Sequence, residues 1–235
     1  MEAIILAGGF GTRLRSVVST VPKPMAPIED KPFLVYILGK LNKQNVKKII
    51  FAVGYKYEVI KDYFKDKYKD MEIVYSIEDE PLGTGGAIKK ALKMTNSDNV
   101  FVLNGDTFFD IELKQLLSQH VRKDADITMA LKPMRDFKRY GTVIVSNDRI
   151  ISFEEKKYKK KGKINGGIYV INRKIFNKIK MMENFSFEND FVIKHIDHLK
   201  LYGFISDTYF IDIGIPKDYK KVQIELPTYI ENQGD

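Results

Sequence analysis

Short hydrophobic runs alternate with longer amphipathic stretches through the first part of the chain. The runs are predicted to be buried strands, because each is apolar and is closed by glycine or polar residues. They lie at Ala3–Ala7, Lys48–Val53, Ile73–Ser76, Val100–Leu103 and Ile127–Leu131. Helical spacing of apolar positions predicts helices at Phe33–Leu41, Glu58–Phe64, Gly85–Met94 and Leu113–Val121. This alternation predicts an α/β fold, in which a Rossmann-like, mostly parallel sheet carries helices on both faces.

The pattern changes from about Tyr140. Strands are predicted at Thr142–Val145, Ile150–Glu154 and Gly167–Ile171, with few helices between them, which indicates an added antiparallel part. Further helices are predicted at Ile175–Ile179, Glu188–Leu199 and Lys217–Glu225. We interpret residues 1–226 as one α/β domain with two lobes, about 1–132 and about 133–226. Residues 227–235 are predicted to be a tail or a docking arm.

The amino-acid composition excludes several classes of protein. The chain has 235 residues, of which 44% are hydrophobic and 30% charged, so it is neither disordered nor collagen-like. It contains no cysteine, which excludes a disulfide scaffold, a thiolate zinc site and a cysteine nucleophile. No apolar run approaches the roughly 18 residues of a membrane helix, and the first residues lack the basic segment of a signal peptide. We therefore expect a cytoplasmic protein with no membrane partner.

The formal net charge of +8 raises the question of an anionic partner. Most of the basic residues are lysines scattered along the chain, which does not favour a nucleic-acid partner. The one dense run is Lys156–Lys163. It is either a solvated loop or a positive wall for a small phosphorylated substrate.

The strongest local motif follows the first predicted strand and reads Leu6-Ala7-Gly8-Gly9-Phe10-Gly11-Thr12-Arg13-Leu14. In an open α/β sheet the ligand crevice lies beyond the carboxyl ends of the strands, and glycines there let backbone N–H groups approach an anion. The guanidinium of Arg13 suits phosphate oxygens. Position 14 is Leu, so this is not a dinucleotide fingerprint, and no Gly-Lys-Ser/Thr follows, so it is not a P-loop. The alternative is a tight strand–helix turn.

Three charged side chains extend this site. Lys23 lies between Pro22 and Pro24, which restrict the backbone and hold a cation near the glycine loop. Asp106 and Asp212 each follow a predicted buried strand, and hard oxygen ligands of this kind suit Mg²⁺ bound together with substrate phosphates. Either aspartate alone is more often a turn or helix-cap residue.

Taken together, these segments resemble the sugar-1-phosphate nucleotidyltransferases, from Ala3 to about Tyr219. The glycine loop followed by Pro-Lys-Pro carries the resemblance. Within that family the chain is most similar to the guanylyltransferases of D-glycero-α-D-manno-heptose 1-phosphate, on the stretches Gly11–Ile28, Asp79–Ile88, Asn104–Asp110 and Ile164–Tyr169. The resemblance implies transfer of GMP from GTP to the heptose phosphate, in GDP-heptose biosynthesis for capsule or lipopolysaccharide.

The resemblance also implies roles for individual residues. Those at the nucleotide would be Leu6, Ala7, Gly8, Gly9, Gly11, Thr12, Arg13, Lys23, Glu78 and Gly83. Those at the sugar phosphate would be Gly141, Glu155, Lys156 and Asn165. Asp106 and Asp212 would bind Mg²⁺ and, with Arg13 and Lys23, form the catalytic set. The family usually has proline after the Glu-Lys pair, whereas this chain has Lys157, which predicts a looser loop.

Chemistry adds two expectations. A phosphate monoester has its second pKa at about 6, so it attacks as a dianion and needs no general base. Guanine presents two adjacent N–H donors that a carboxylate accepts together, and Glu78 therefore favours GTP. The partners would be small molecules, GTP and a sugar 1-phosphate. A homo-oligomer is compatible with the sequence, which does not decide it.

Several alternatives stay open. Within the family they are a mannose-1-phosphate guanylyltransferase, or a uridylyl- or thymidylyltransferase acting on glucose 1-phosphate. A nucleotide-sugar-dependent glycosyltransferase would normally carry Asp-x-Asp, and Asp106-Thr107-Phe108 lacks the second aspartate. A non-catalytic nucleotide-sugar sensor would be expected to lose Lys23 or one of the two aspartates, yet all three are present.

Overall fold

The computed structural model describes residues 1–9, 11, 14, 17–18 and 20–233. Within these ranges the strands, in chain order, are β1 (Glu2–Leu6), β2 (Pro27–Ile28), β3 (Lys31–Pro32), β4 (Lys48–Val53), β5 (Lys67–Tyr68), β6 (Met71–Ile77), β7 (Asn99–Asn104), β8 (Thr107–Phe109), β9 (Ile127–Phe137), β10 (Thr142–Ser146), β11 (Arg149–Glu154), β12 (Lys159–Asn172), β13 (Leu201–Ile205) and β14 (Phe210–Asp212). The α-helices there are α1 (Phe33–Lys43), α2 (Tyr57–Phe64), α3 (Gly83–Leu92), α4 (Leu113–Arg122) and α5 (Pro216–Asn232).

A mixed sheet of ten strands, ordered β10-β11-β13-β9-β12-β7-β1-β4-β6-β5, forms the centre of the molecule. Four strands, β7-β1-β4-β6, are parallel to one another, which confirms the predicted α/β fold, and β13 and β9 form a further parallel pair. Leu6 at the end of β1 lies opposite Ala52 of β4 and Asn104 of β7. The carboxyl ends of these strands therefore meet at one edge, where the glycine loop begins.

The antiparallel part continues the same sheet. Strand β12 runs antiparallel to both β7 and β9, while β10 and β11 pair antiparallel at the far edge. This confirms the antiparallel strands predicted after Tyr140. Two short antiparallel pairs, β2 with β3 and β8 with β14, lie outside the large sheet.

Hydrophobic residues cover both faces of the sheet. Ala3 and Ile5 of β1 point into a core cluster that contains the buried aliphatic and aromatic residues of α1, α2, α4 and α5. Ile4 points into a second cluster with those of α3 and the segment around Phe191. This alternation along a strand buried on both sides explains why β1 reads as a continuous apolar run.

The Lys156–Lys163 run is not simply a loop. Its second half belongs to β12 and pairs with β9, with Lys161 opposite Arg135. Lys160 and Lys161 are exposed, and this end of the strand has no alternation of apolar and polar residues. The sequence pattern therefore could not predict a strand there. The loop interpretation is thus wrong for Lys159–Lys163.

Helix boundaries differ in the last third of the chain. Instead of a helix at Ile175–Ile179 there is a 3₁₀ turn at Ile175–Asn177. The segment predicted as Glu188–Leu199 is a π-helix, Phe187–Ile193, followed by a 3₁₀ turn, Ile196–His198. In the described ranges no helix combines the length and the apolarity needed to cross a lipid bilayer.

The predicted tail is largely helical. Helix α5 passes through Pro227 to Asn232, so the helix end predicted at Glu225 is wrong. Leu226 and Pro227 are buried, and the ring of Tyr229 stacks on Tyr209 with centroids 4.3 Å apart. This packing outweighs the hydrogen bond that a proline removes from a helix.

Helix α4 is joined to the sheet by a buried histidine. His120 is 1% exposed, and its ring nitrogens lie 3.0 Å from Thr128 Oγ1 and 3.1 Å from Asn99 Oδ1. Burial lowers the pKa of His120 from 6.5 to about 4, against the opposite effect of the Asp126 and Asp124 charges. The ring is neutral in the fold at pH 7.

This histidine predicts a pH dependence of stability. The unfolded chain takes up a proton on His120 below about pH 6.5, whereas the fold resists it down to about pH 4. The contribution of His120 to the free energy of unfolding is therefore fully present above pH 6.5. Between about pH 6.5 and pH 4 the free energy of unfolding falls by about 1.4 kcal/mol for each pH unit. In urea unfolding across this range, His120→Gln should show a shallower fall in free energy than wild type. The control His198→Gln, at an exposed position, should keep the wild-type slope; an unchanged slope in His120→Gln would contradict the assignment.

Candidate functional site

A cavity of about 420 Å³ opens at the carboxyl edge of the parallel strands. We call it the nucleotide cavity, after the role predicted for its residues. Every described residue predicted at the nucleotide lines it, namely Leu6, Ala7, Gly8, Gly9, Gly11, Lys23, Glu78 and Gly83. The other two, Thr12 and Arg13, lie outside the described residues.

Lys23 is held against the glycine loop by its neighbours. It begins a 3₁₀ turn, Lys23–Met25, in which Pro24 and Met25 are buried. Gly11 has a φ of +59°, and a β-carbon there would lie 2.9 Å from Lys23 Cβ. Only glycine accepts this backbone at such a close approach. The ammonium group of Lys23 forms an ion pair with Asp106.

Glu78 follows β6 and is half-buried at the wall of the nucleotide cavity. Its Oε2 accepts a hydrogen bond of 3.0 Å from the Leu82 N–H, and Oε1 lies on the side of Gly8. Burial raises the pKa of the Glu78 carboxyl, while the Leu82 N–H and the Lys90 charge lower it. One carboxylate oxygen is thus committed to Leu82, and the other faces the glycine loop.

Helix α3 begins at the same cavity. Gly83, its first residue, has a φ of +68°, and a β-carbon there would lie 2.6 Å from the carbonyl oxygen of Phe185. The N–H of Gly85 donates to that carbonyl at 2.9 Å. The positive end of the α3 dipole consequently lies beside the cavity, where it favours an anion.

A second cavity, of about 470 Å³, adjoins the first and shares Lys23, Asn104, Asp106 and Gly214 with it. We call it the sugar cavity. All the residues predicted at the sugar phosphate line it, namely Gly141, Glu155, Lys156 and Asn165. Lys157, which replaces the usual proline, lies 3.7 Å from Glu154.

The two aspartates come from adjacent segments at the sugar cavity, and Asp106 lines the nucleotide cavity as well. Strands β8 and β14 pair so that Asp212 is opposite Thr107, and the N–H of Ile213 donates to the carbonyl of Asp106 at 3.0 Å. Asp212 Oδ1 accepts from the Gly214 N–H at 2.7 Å. Both carboxylates reach the sugar cavity.

Asp212 is also held by a cation and a phenol. Its Oδ2 accepts hydrogen bonds from Arg139 and from the Tyr140 hydroxyl, and Arg139 pairs in addition with Asp218 of α5. Burial and the Asp212 charge raise the pKa of Tyr140, so its hydroxyl keeps the proton that it donates. The carboxylate therefore has a fixed orientation.

The donor set suits one kind of metal ion. Among the described residues no cluster of three or more histidine and acidic side chains could hold a metal by itself. Two neighbouring carboxylates fit Mg²⁺, which commonly takes one or two protein ligands and completes its shell with water and substrate phosphates. Mg²⁺ at Asp106 and Asp212 stays a prediction.

Several lining residues were not predicted from the sequence. Thr84, Ala87 and Asn104 line the nucleotide cavity. All three lie in stretches that carried the family resemblance, Asp79–Ile88 and Asn104–Asp110, but none was assigned a role. Arg139, Tyr140 and Glu188 line the sugar cavity. Arg139 and Tyr140 could have been found as neighbours of Gly141, but Glu188 is an acid in the first turn of a helix, which is an ordinary position.

The stretch of this chain that matches known proteins includes the residues that line both cavities. Residues 2–228 match the family described as Nucleotidyl transferase. The chain is 56% identical over 230 residues to a D-glycero-alpha-D-manno-heptose 1-phosphate guanylyltransferase of Aneurinibacillus thermoaerophilus, covering 98% of this chain and 100% of the relative. A relative of the same name from Campylobacter jejuni is 56% identical over 220 residues, covering 93% of this chain and 97% of the relative.

A solved structure has the same fold over nearly the whole chain. HddC from Yersinia pseudotuberculosis superposes with a TM-score of 0.87 at 38% identity, covering 96% of this chain and 99% of that one. The same protein complexed with GMP-PN gives a TM-score of 0.85.

The start of α3 yields a prediction about stability. Gly83→Ala places a side chain in the left-handed region and against the Phe185 carbonyl, so the free energy of unfolding should fall by about 1–3 kcal/mol. Gly39→Ala is the matched control, because Gly39 lies within α1 with no atom within 4 Å of the added carbon. It should raise stability by about 0.5–1 kcal/mol. Urea unfolding measures both; equal effects in the two variants would contradict the prediction.

Proposed function

The chain belongs to the nucleotidyl transferase family, and we propose that it transfers GMP from GTP to D-glycero-α-D-manno-heptose 1-phosphate, with GDP-heptose and pyrophosphate as products. The observation that carries the proposal is the pair of adjoining cavities that share Lys23 and Asp106. Such a pair can hold two phosphorylated substrates with their reacting groups in contact. The names of the two heptose-phosphate relatives support the choice of substrates.

In the proposed reaction the phosphate oxygen of the sugar 1-phosphate attacks the α-phosphorus of GTP. A new P–O bond forms, the bond from the α-phosphorus to the bridging oxygen breaks, and pyrophosphate leaves with that oxygen. The attacking phosphate has its second pKa at about 6 and is largely dianionic at pH 7. It needs no base, in keeping with cavity linings that contain no histidine among the described residues.

Repulsion between the two anions is the barrier that the site must lower. Lys23 lies where the cavities join, so its ammonium group can neutralise phosphate charge from either side. Lys156, which lines the sugar cavity, would hold the sugar phosphate. Mg²⁺, held by Asp106 and Asp212, would neutralise charge on the reacting phosphates and orient them for in-line displacement.

Glu78 is the residue proposed to recognise the base of the nucleotide. Leu82 already donates to Oε2, and Oε1 faces the glycine loop. Each carboxylate oxygen has two acceptor sites, so both can still accept from the adjacent N1–H and N2 amino groups of guanine. Uracil and thymine offer a single N–H between two carbonyls, which this acceptor-only side chain fits less well.

The metal assignment predicts the effect of two substitutions. Asp106→Asn and Asp212→Asn should each lower kcat by about 10²-fold or more, because a ligand charge is lost at the reacting phosphates. Pyrophosphate release at saturating Mg²⁺ measures the rate, and circular dichroism checks folding. Asp98→Asn, an exposed aspartate outside both cavities, is the control and should keep the wild-type rate. Wild-type rates in both site variants would exclude the assignment.

The substrate proposal is tested by a panel of nucleoside triphosphates and sugar 1-phosphates with Mg²⁺. GTP with the heptose 1-phosphate should give the highest kcat/KM for pyrophosphate release. A pocket that merely tolerates the extra hydroxymethylene group would discriminate against mannose by only about 1–3 kcal/mol, whereas one that hydrogen-bonds it would discriminate more strongly. A preference for mannose 1-phosphate would contradict the proposed heptose substrate and identify mannose 1-phosphate as the substrate instead. A preference for glucose 1-phosphate with UTP or dTTP would overturn both the sugar and the role of Glu78.

A further inference from the structure

A carboxylate without an assigned role lies at the wall of the sugar cavity. Glu188 Oε1 accepts a hydrogen bond of 2.6 Å from Asn165 Nδ2 and one of 2.8 Å from the hydroxyl of Tyr169. Glu188 and Asn165 both line the cavity. One oxygen of the carboxylate is thus saturated by two donors from β12.

The orientation of the Asn165 amide is defined by its contacts. Its Oδ1 accepts from the Gly167 N–H at 2.9 Å, so the nitrogen must point toward Glu188 and Tyr169. The register of β12 against β9 shifts between Asn165 and Tyr169. Such a bulge redirects a side chain out of the regular alternation, here into the cavity.

Tyr169 can serve only as a donor to this carboxylate. It is 2% exposed, and its ring packs edge-on against Phe187 with centroids 5.4 Å apart. Burial raises the pKa of the Tyr169 hydroxyl well above its ordinary value, and the Glu188 charge raises it further. The proton therefore stays on the phenol.

The backbone that carries Glu188 is fixed as well. Ser186 Oγ accepts from the Asn189 N–H at 3.1 Å, and Asp190 Oδ2 accepts from the Ser186 N–H at 2.9 Å. The N–H of Phe187 donates to Thr84 Oγ1 at 2.9 Å. These bonds close the first turn of the π-helix and attach it to α3, so the carboxylate is preorganised.

The second oxygen of Glu188 has no donor among the described residues. Asp106 and Asp212, in the same cavity, pair with Lys23 and Arg139, whereas no ion pair within the described ranges involves Glu188. An uncompensated negative charge repels the phosphate of a sugar 1-phosphate and attracts its hydroxyl groups. The phosphate end would then lie toward Lys23 and Lys156, and the hydroxyl end toward Glu188.

We infer that Glu188 is a specificity-determining residue whose Oε2 accepts a hydrogen bond from a hydroxyl group of the sugar, with Asn165 and Tyr169 as positioning residues. This inference rests on the proposed function. An ionised carboxylate only accepts hydrogen bonds, so the site selects sugar 1-phosphates with a free hydroxyl at that position. Deoxy sugars and ethers at that position would leave the acceptor unpaired.

The test compares wild type and Glu188→Gln on the parent sugar 1-phosphate and on monodeoxy analogues that each lack one hydroxyl. The glutamine oxygen can still accept from Asn165 and Tyr169, but its NH₂ group then replaces the acceptor that faces the sugar. For the parent sugar, kcat/KM should fall by about 10- to 100-fold, while KM for GTP stays unchanged. For one analogue wild type should already show this loss, and the substitution should add none.

Two controls separate contact from structure. Glu183→Gln removes an exposed carboxylate from the preceding segment and should behave as wild type. Tyr169→Phe removes one donor to Oε1 and should give a smaller loss with the same pattern across the analogues. An equal loss on every analogue would show a merely structural role and overturn the inference, as would no loss at all.

The outcomes also separate this inference from the proposed function. If wild type releases pyrophosphate from GTP with a sugar 1-phosphate but Glu188→Gln discriminates as wild type does, only the inference fails. If wild type produces no pyrophosphate with any sugar 1-phosphate, the proposed function fails and the inference with it.

Discussion

The ion pair between Lys23 and Asp106 joins the two halves of the site. Lys23 belongs to the segment that follows β1, and Asp106 follows β7, the strand on which the antiparallel part of the sheet is built. The Asp106 carbonyl also accepts from Ile213, beside Asp212. A cation and an anion from two separate segments of the first lobe thus meet at the only place where both cavities share charged side chains among the described residues. Two phosphorylated molecules could be brought together there with their charges balanced.

The acidic side chains around the Lys23–Asp106 ion pair differ in their hydrogen-bond and ion-pair partners. Asp106 and Asp212 are paired with cations, which keeps two carboxylates close together without repulsion. Glu78 and Glu188 line separate cavities, and each has one oxygen held by protein donors while the other has no protein donor among the described residues. In our proposals both act as acceptors for neutral N–H or O–H groups, at opposite ends of the reacting phosphates.

Much of this arrangement could be predicted from the sequence. Strands buried on both faces are apolar runs, so β1, β4 and β7 could be predicted from the sequence. In an open α/β sheet the ligand binds beyond the carboxyl ends of the strands, which predicted that the residues there line the site. The roles of Gly141, Glu155 and Asn165 came from family resemblance and not from any pattern. The lysine-rich end of β12 and the helical Pro227 were missed because tertiary pairing and packing overrode local preference. Glu188 was missed because its partners, Asn165 and Tyr169, come from a distant strand.

The attachment of α3 to the segment around Phe185 has a consequence for how the substrates influence each other. The Gly85 N–H binds the Phe185 carbonyl, and Thr84 accepts from Phe187, next to Glu188. The first turn of α3 borders the nucleotide cavity, so one rigid junction carries walls of both cavities. Any adjustment of α3 to a bound nucleotide would displace the wall beside the sugar. Thermodynamic linkage makes such an effect reciprocal: each substrate would alter the affinity of the other by the same factor.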